Sequence, residues 1–204
     1  MRLLKAQRDA LREFWHSGFS YEVMRSSAAF LILIFLGFGS CMASPKLLDN
    51  IMTVVFSFFN GLDLQSSGGQ LSAAGLFLNN LRACTVAILC GLIPFLYLSA
   101  LALGVNAMLL GVLAAWYVRG GHSFLIYLAA LLPHGIFEIP AIVLSFSAGL
   151  YFCGRISREL RNGGSYPLSS CLRQAARIWV LIVPLLAAAA LMEAYVTPLV
   201  LNLF

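Results

Sequence analysis

The sequence predicts an all-α, polytopic membrane helix bundle of about five spans. Three observations predict it. Of 204 residues, 61% are hydrophobic and 10% charged, whereas soluble domains carry about 25% charged residues. Residues 83–118 contain no charged side chain at all. The basic residues gather in two clusters beside apolar runs, Arg2, Lys5, Arg8, Arg12 and Arg25 in the first, and Arg155, Arg158, Arg161, Arg173 and Arg177 in the second. Lipid is the solvent that accommodates such a composition, and 1–204 reads as a single membrane domain.

The elements follow in order. In 1–16, basic residues alternate with Leu4, Leu11, Phe14 and Trp15 at helical spacing. The whole of 1–25 reads as a cytoplasmic basic amphipathic segment. The first span covers 26–43. Its long charged approach and its length argue for a retained span rather than a cleaved leader. An outer loop, 44–75, follows. Within it Leu48, Ile51, Met52, Val55 and Phe59 share one helical face opposite Asp49, Thr53, Ser57 and Asn60. This pattern predicts an interfacial amphipathic helix, with a flexible turn at 66–70.

A continuous helix over 83–118 would be about 54 Å long, against about 30 Å of bilayer hydrocarbon. The run must therefore break. Gly104-Val105-Asn106 is the expected place, giving spans of 80–103, kinked at Pro94, and 106–119. The fourth span is 124–152. It carries Pro133, Gly135 and Pro140, and so reads as a broken or kinked helix at membrane depth. The fifth is 178–201. Five spans place both basic clusters and the N-terminus in the cytoplasm and the C-terminus outside.

A few residues break the lipid rule. Ionisable groups at mid-bilayer cost at least about 2.5–3.5 kcal/mol each. His134 and Glu138 are four apart in the fourth span, Glu193 lies in the fifth, and Asn79 and Asn80 open the second. One reading is a polar intramembrane site for a proton, an ion or a headgroup. The other is a hydrogen-bonded network that fixes helix packing. His134 and Glu138 make half a metal site, but there is no HExxH and no third His beside them, so neither metal nor cofactor is expected.

Cys41, Cys84, Cys90, Cys153 and Cys171 form no CxxC and read as small packing residues. The net charge of +5 comes from topology signals without the aromatic context of a nucleic-acid surface. No GxSxG or similar constellation points to an enzyme. The lipid bilayer is the partner the sequence implies directly, and a homo-oligomer of isologous dimers is the commonest default.

Four stretches together carry a resemblance: the Asn79-Asn80 pair, the small residues from Gly104 to Gly111, LLPHGIFEIPAI at 131–142 followed by Ala148-Gly149, and EAYVTP at 193–198. Across 77–200 their order resembles the stage II sporulation protein M family. The resemblance implies a noncatalytic integral membrane scaffold. It would localise two peptidoglycan hydrolases, sporulation proteins D and P, for septal wall thinning and engulfment or related envelope remodelling. On that reading the face of Leu48, Ile51, Met52, Val55 and Phe59 is the outer docking surface. The alternative is a transporter or channel-like protein built on His134 and Glu138. The family also occurs widely in organisms that do not sporulate.

Overall fold

The structure, a computed structural model, describes residues 2–60 and 72–203, and the side chains of 7–57 and 72–203. Every described element is helical. Helix α1, Arg2–Phe14, passes through a wide π turn, Trp15–Phe19, into α2, Ser20–Ala43. Gly18 takes φ +104° in that turn, a conformation open to glycine, which lets the chain change direction. Helix α3 is Pro45–Asn60, α4 Ala73–Cys90, α5 Leu98–Arg119 and α6 Phe124–Arg161. Helix α7, Leu168–Leu191, leads through a second π turn, Met192–Val196, into the short α8, Thr197–Leu201. Five stretches are long and apolar enough to span a bilayer: Gln7–Ala43, Ala73–Cys90, Leu98–Arg119, Phe124–Arg161 and Leu168–Leu201. The all-α, five-span bundle expected from the sequence is therefore present.

The boundary between the second and third spans lies elsewhere than expected. Helix α5 runs straight through Gly104 and Asn106, and the chain turns at 91–97 instead. Pro94 sits inside this turn, where its missing N–H costs nothing. Phe95 and Tyr97 adopt left-handed backbone angles, φ +67° and +47°, and side chains of α6 and of the loop after it satisfy the freed polar groups. The Phe95 N–H donates to Ser157 Oγ at 2.8 Å. The Cys153 thiol donates to the Ile93 carbonyl at 3.3 Å, and the Tyr166 hydroxyl donates to the Leu92 carbonyl. Asn106 needs no break, because its amide donates to Ala102 of its own helix at 2.9 Å.

The fourth span is longer than expected and is not broken. Helix α6 stays helical for 38 residues with Pro133 and Pro140 inside it. Each proline removes one helical donor, yet packing on α4, α5, α7 and α8 holds the backbone helical. Gly135 does not mediate a close helix approach. A Cβ there would meet only Leu131 and Ile139 of its own helix, at 3.4 Å or more.

The closest approaches are made by other small residues. A Cβ on Gly111 would strike the backbone of Ile34 and Phe38, and one on Gly37 the backbone of Met108. Helices α2 and α5 therefore touch backbone to backbone. A Cβ on Gly149 would strike Ser99 and the Ala87 carbonyl. Small residues at crossings let dispersion and weak polar contacts hold membrane helices together where no hydrophobic effect can.

Two ends of the bundle can be told apart. At one, the basic end, Phe14 and Phe19 are buried against Tyr151, Cys171 and Ala175. Phe14 and Phe19 stack at 4.6 Å, and Ser17 Oγ lies 3.0 Å from the Tyr151 hydroxyl. The basic N-terminal segment is thus clamped to the ends of α6 and α7. At the opposite end, Arg119 donates to the Met42 carbonyl at 2.8 Å and α3 folds back over α2 and α5.

Helix α3 reverses one expectation. Leu48 and Met52 are buried, with Ile51 and Val55 packed beside them, against Cys41, Val112 and Ala115. The apolar face expected to dock a partner is covered by the chain's own core, because α2 and α5 offer it an apolar seat. The Phe59 side chain and the 66–70 turn lie outside the described residues.

Candidate functional site

Four of the five rule-breaking residues meet toward the end of the bundle opposite the basic clusters. His134 and Glu138 project from the same face of α6, one turn apart. Glu193 enters from the second π turn. One ligand atom from each of the three lies within 4.8 Å of the other two. Asn80, two turns into α4, brings its amide beside the Glu138 carboxyl. All of the triad are half-buried. Asn80 rather than Asn79 reaches the cluster, since consecutive residues point about 100° apart round a helix.

The local backbone explains why Glu193 arrives there. A π turn inserts one residue into a helical turn and re-aims the side chains around it; such turns are frequent at functional sites. Thr197, buried at the start of α8, bridges the widened turn, its hydroxyl donating to the Met192 carbonyl at 3.2 Å. The same hydroxyl lies 3.4 Å from His134 Nδ1. When that proton goes to Met192, Thr197 is left to accept from Nδ1–H, and in that tautomer the Nε2 lone pair faces Glu138. The Nε2 to Oε2 distance is 4.0 Å, too long for a hydrogen bond.

Charge is unevenly balanced. Among the described residues, neither Glu138 nor Glu193 has a lysine or arginine partner in an ion pair. Two carboxylates within reach of one another in membrane-spanning helices require a proton, a cation or water to offset them.

The sequence identified four of the five central residues, His134, Glu138, Glu193 and Asn80. It missed Thr197, although Thr197 follows Glu193 by four residues within the same EAYVTP stretch. Pro133 and Pro140 flank the His134–Glu138 turn, so each removes a helical hydrogen bond beside the site without opening the helix. An apolar groove of about 370 Å³, lined by Val23, Ser27, Phe30, Ile139, Pro140 and Val143 among others, lies between α2 and α6. It occupies the opposite face of α6 and contains none of the cluster's side chains.

Comparison with known proteins identifies a family. The family profile for stage II sporulation protein M matches residues 26–198, which takes in every residue of the cluster. Two uncharacterized proteins of Methanocaldococcus jannaschii are similar. One is 28% identical over 130 residues, covering 63% of this chain and 72% of the relative. The other is 31% identical over 122 residues, covering 58% of this chain and 52% of the relative. The alignment thus spans about half the length of this second relative. No solved structure matches the chain. With five apolar helices long enough to span a bilayer and the profile matched over most of its length, the chain is a multi-pass membrane protein of the stage II sporulation protein M family.

Proposed function

We propose that the protein is a noncatalytic membrane scaffold that positions peptidoglycan hydrolases, of the kind of sporulation proteins D and P, during septal wall thinning, engulfment or related envelope remodelling. Family membership carries this reading. The packing supports it, since backbone-to-backbone contacts at Gly37, Gly111 and Gly149 suit a rigid support better than a moving gate. In this reading the basic clusters and N-terminus lie in the cytoplasm, and the C-terminus and α3 lie outside.

Because the inner face of α3 is occupied, the partner meets its outer side. Leu47, Asp49, Asn50, Thr53 and Val54 are exposed there, Val54 at 69%. The test is affinity purification of the tagged chain from its native host. A hydrolase is expected to co-purify with the wild type and be lost from a Asp49→Lys/Val54→Lys variant that still inserts and folds. Equal recovery from both, or no hydrolase at all, overturns the reading.

The convergence of His134, Glu138, Glu193 and Asn80 favours a second reading, a transporter or channel-like protein. Ion or proton flux through proteoliposomes that disappears in Glu138→Gln supports it. Flux equal to that of empty liposomes rejects it.

A further inference from the structure

We propose that His134, Glu138 and Glu193 bind one divalent transition-metal ion that ties α6 to the C-terminal end of the bundle. Three features lead there. First, three ligand atoms from two separate helical segments converge within 4.8 Å, so small side-chain rotations bring them to one ion. Second, His134 is arranged as ligating histidines are. Its Nδ1 lies 3.4 Å from the Thr197 hydroxyl, an outer partner that can hold Nδ1–H while donating to Met192, and its Nε2 lies 4.0 Å from Glu138 Oε2.

Third, the carboxylates of Glu138 and Glu193 have no lysine or arginine in an ion pair with them among the described residues. A divalent cation neutralises both at once, which offsets the cost of holding them in membrane-spanning helices. The π turn at Met192–Val196 is what brings Glu193 into the cluster.

The donor set selects the class of ion. One imidazole nitrogen and two carboxylates, with the Asn80 amide beside them, suit zinc, manganese, iron or cobalt. Calcium and magnesium prefer an all-oxygen shell. Three protein ligands leave at least one coordination position for water or another small ligand. Nothing in the scaffold reading requires this ion, so either idea can fail without the other.

The test uses the full chain in lipid nanodiscs, stripped with chelator and titrated with Zn²⁺ in the presence of Mg²⁺. The wild type is expected to bind one ion. Glu138→Gln and Glu193→Gln should each weaken binding by about tenfold or more. Thr197→Val should weaken it about tenfold while Thr197→Ser restores it, the range typical of a residue that orients a ligand. Chelation should lower the thermal midpoint of the wild type by more than that of Glu193→Gln.

Should the glutamine variants fail to fold, Cu²⁺ resonance spectra of a His16→Asn/His122→Asn chain decide the matter. Both of those histidines are exposed, and their removal leaves His134 as the sole imidazole. Coupling to one imidazole nitrogen supports the site. No saturable Zn²⁺ binding by folded wild type, affinity unchanged in the glutamine variants, or Cu²⁺ without imidazole coupling overturns it.

Discussion

At the scale of the residue, the bundle is held by contacts that tolerate no extra atom. Gly149 faces Ser99 and the Ala87 carbonyl, and Ser99 donates to that same carbonyl at 2.7 Å while fully buried. Gly149→Ala forces backbone of α4 or α5 to shift and should destabilise by about 1–3 kcal/mol. Thermal unfolding in detergent checks this, with Gly39→Ala as the control, since nothing lies within 4 Å of a Cβ there. Ser99→Ala should cost less, about 1 kcal/mol, because it removes a hydrogen bond but opens no large void. The identity of the polar residues was legible in the sequence, since charge at membrane depth is conspicuous. Their meeting was not. His134 and Glu138 are related by helical spacing, but Glu193 joins them only through a π turn, which leaves no mark in hydropathy or residue pattern. Thr197 escaped notice for the same reason: a threonine near a helix end has many ordinary uses.

At the scale of the element, five spans and the amphipathic α3 were readable because period and length report directly on lipid and interface. Boundaries were less so. The uncharged run 83–118 demands a turn but does not say where, since glycine and asparagine sit comfortably within membrane helices when their polar groups are satisfied. Asn106 satisfies its own amide on Ala102. The true turn at 91–97 depends on Ser157, Cys153 and Tyr166, residues that sequence order hides. The direction in which α3 faces was hidden likewise. An apolar stripe shows that something covers it, not whether the cover is lipid, partner or the chain itself. Met52 is 4% exposed and packs with Cys41, itself 1% exposed. Met52→Ala should therefore raise the rate at which a membrane-impermeant maleimide labels Cys41 by severalfold. Val54→Ala, on the outer side of the helix, should leave that rate unchanged. Equal labelling in both variants would mean that α3 does not shield Cys41.

At the scale of the whole molecule, the arginines gather at one end. The clamp of Phe14 and Phe19 on Tyr151 puts the N-terminal basic segment at the same end as Arg155, Arg158 and Arg161, and the proposed orientation sets that end in the cytoplasm by the positive-inside rule. Alkaline phosphatase fused after Phe204 should be active, and the same enzyme inserted at Gly163 inactive. The reverse pattern would overturn the proposed orientation. In the scaffold reading this bundle holds a wall hydrolase against its outer side rather than passing solutes through its interior. The most direct measurement is the position of the fluorescently labelled hydrolase in native cells whose chromosomal copy carries either Asp49→Lys/Val54→Lys or Glu138→Gln. The hydrolase is expected to disperse in the first strain and stay in place in the second, both proteins being present at wild-type levels in the membrane. A hydrolase that keeps its position in the first strain, or loses it only in the second, overturns the scaffold reading.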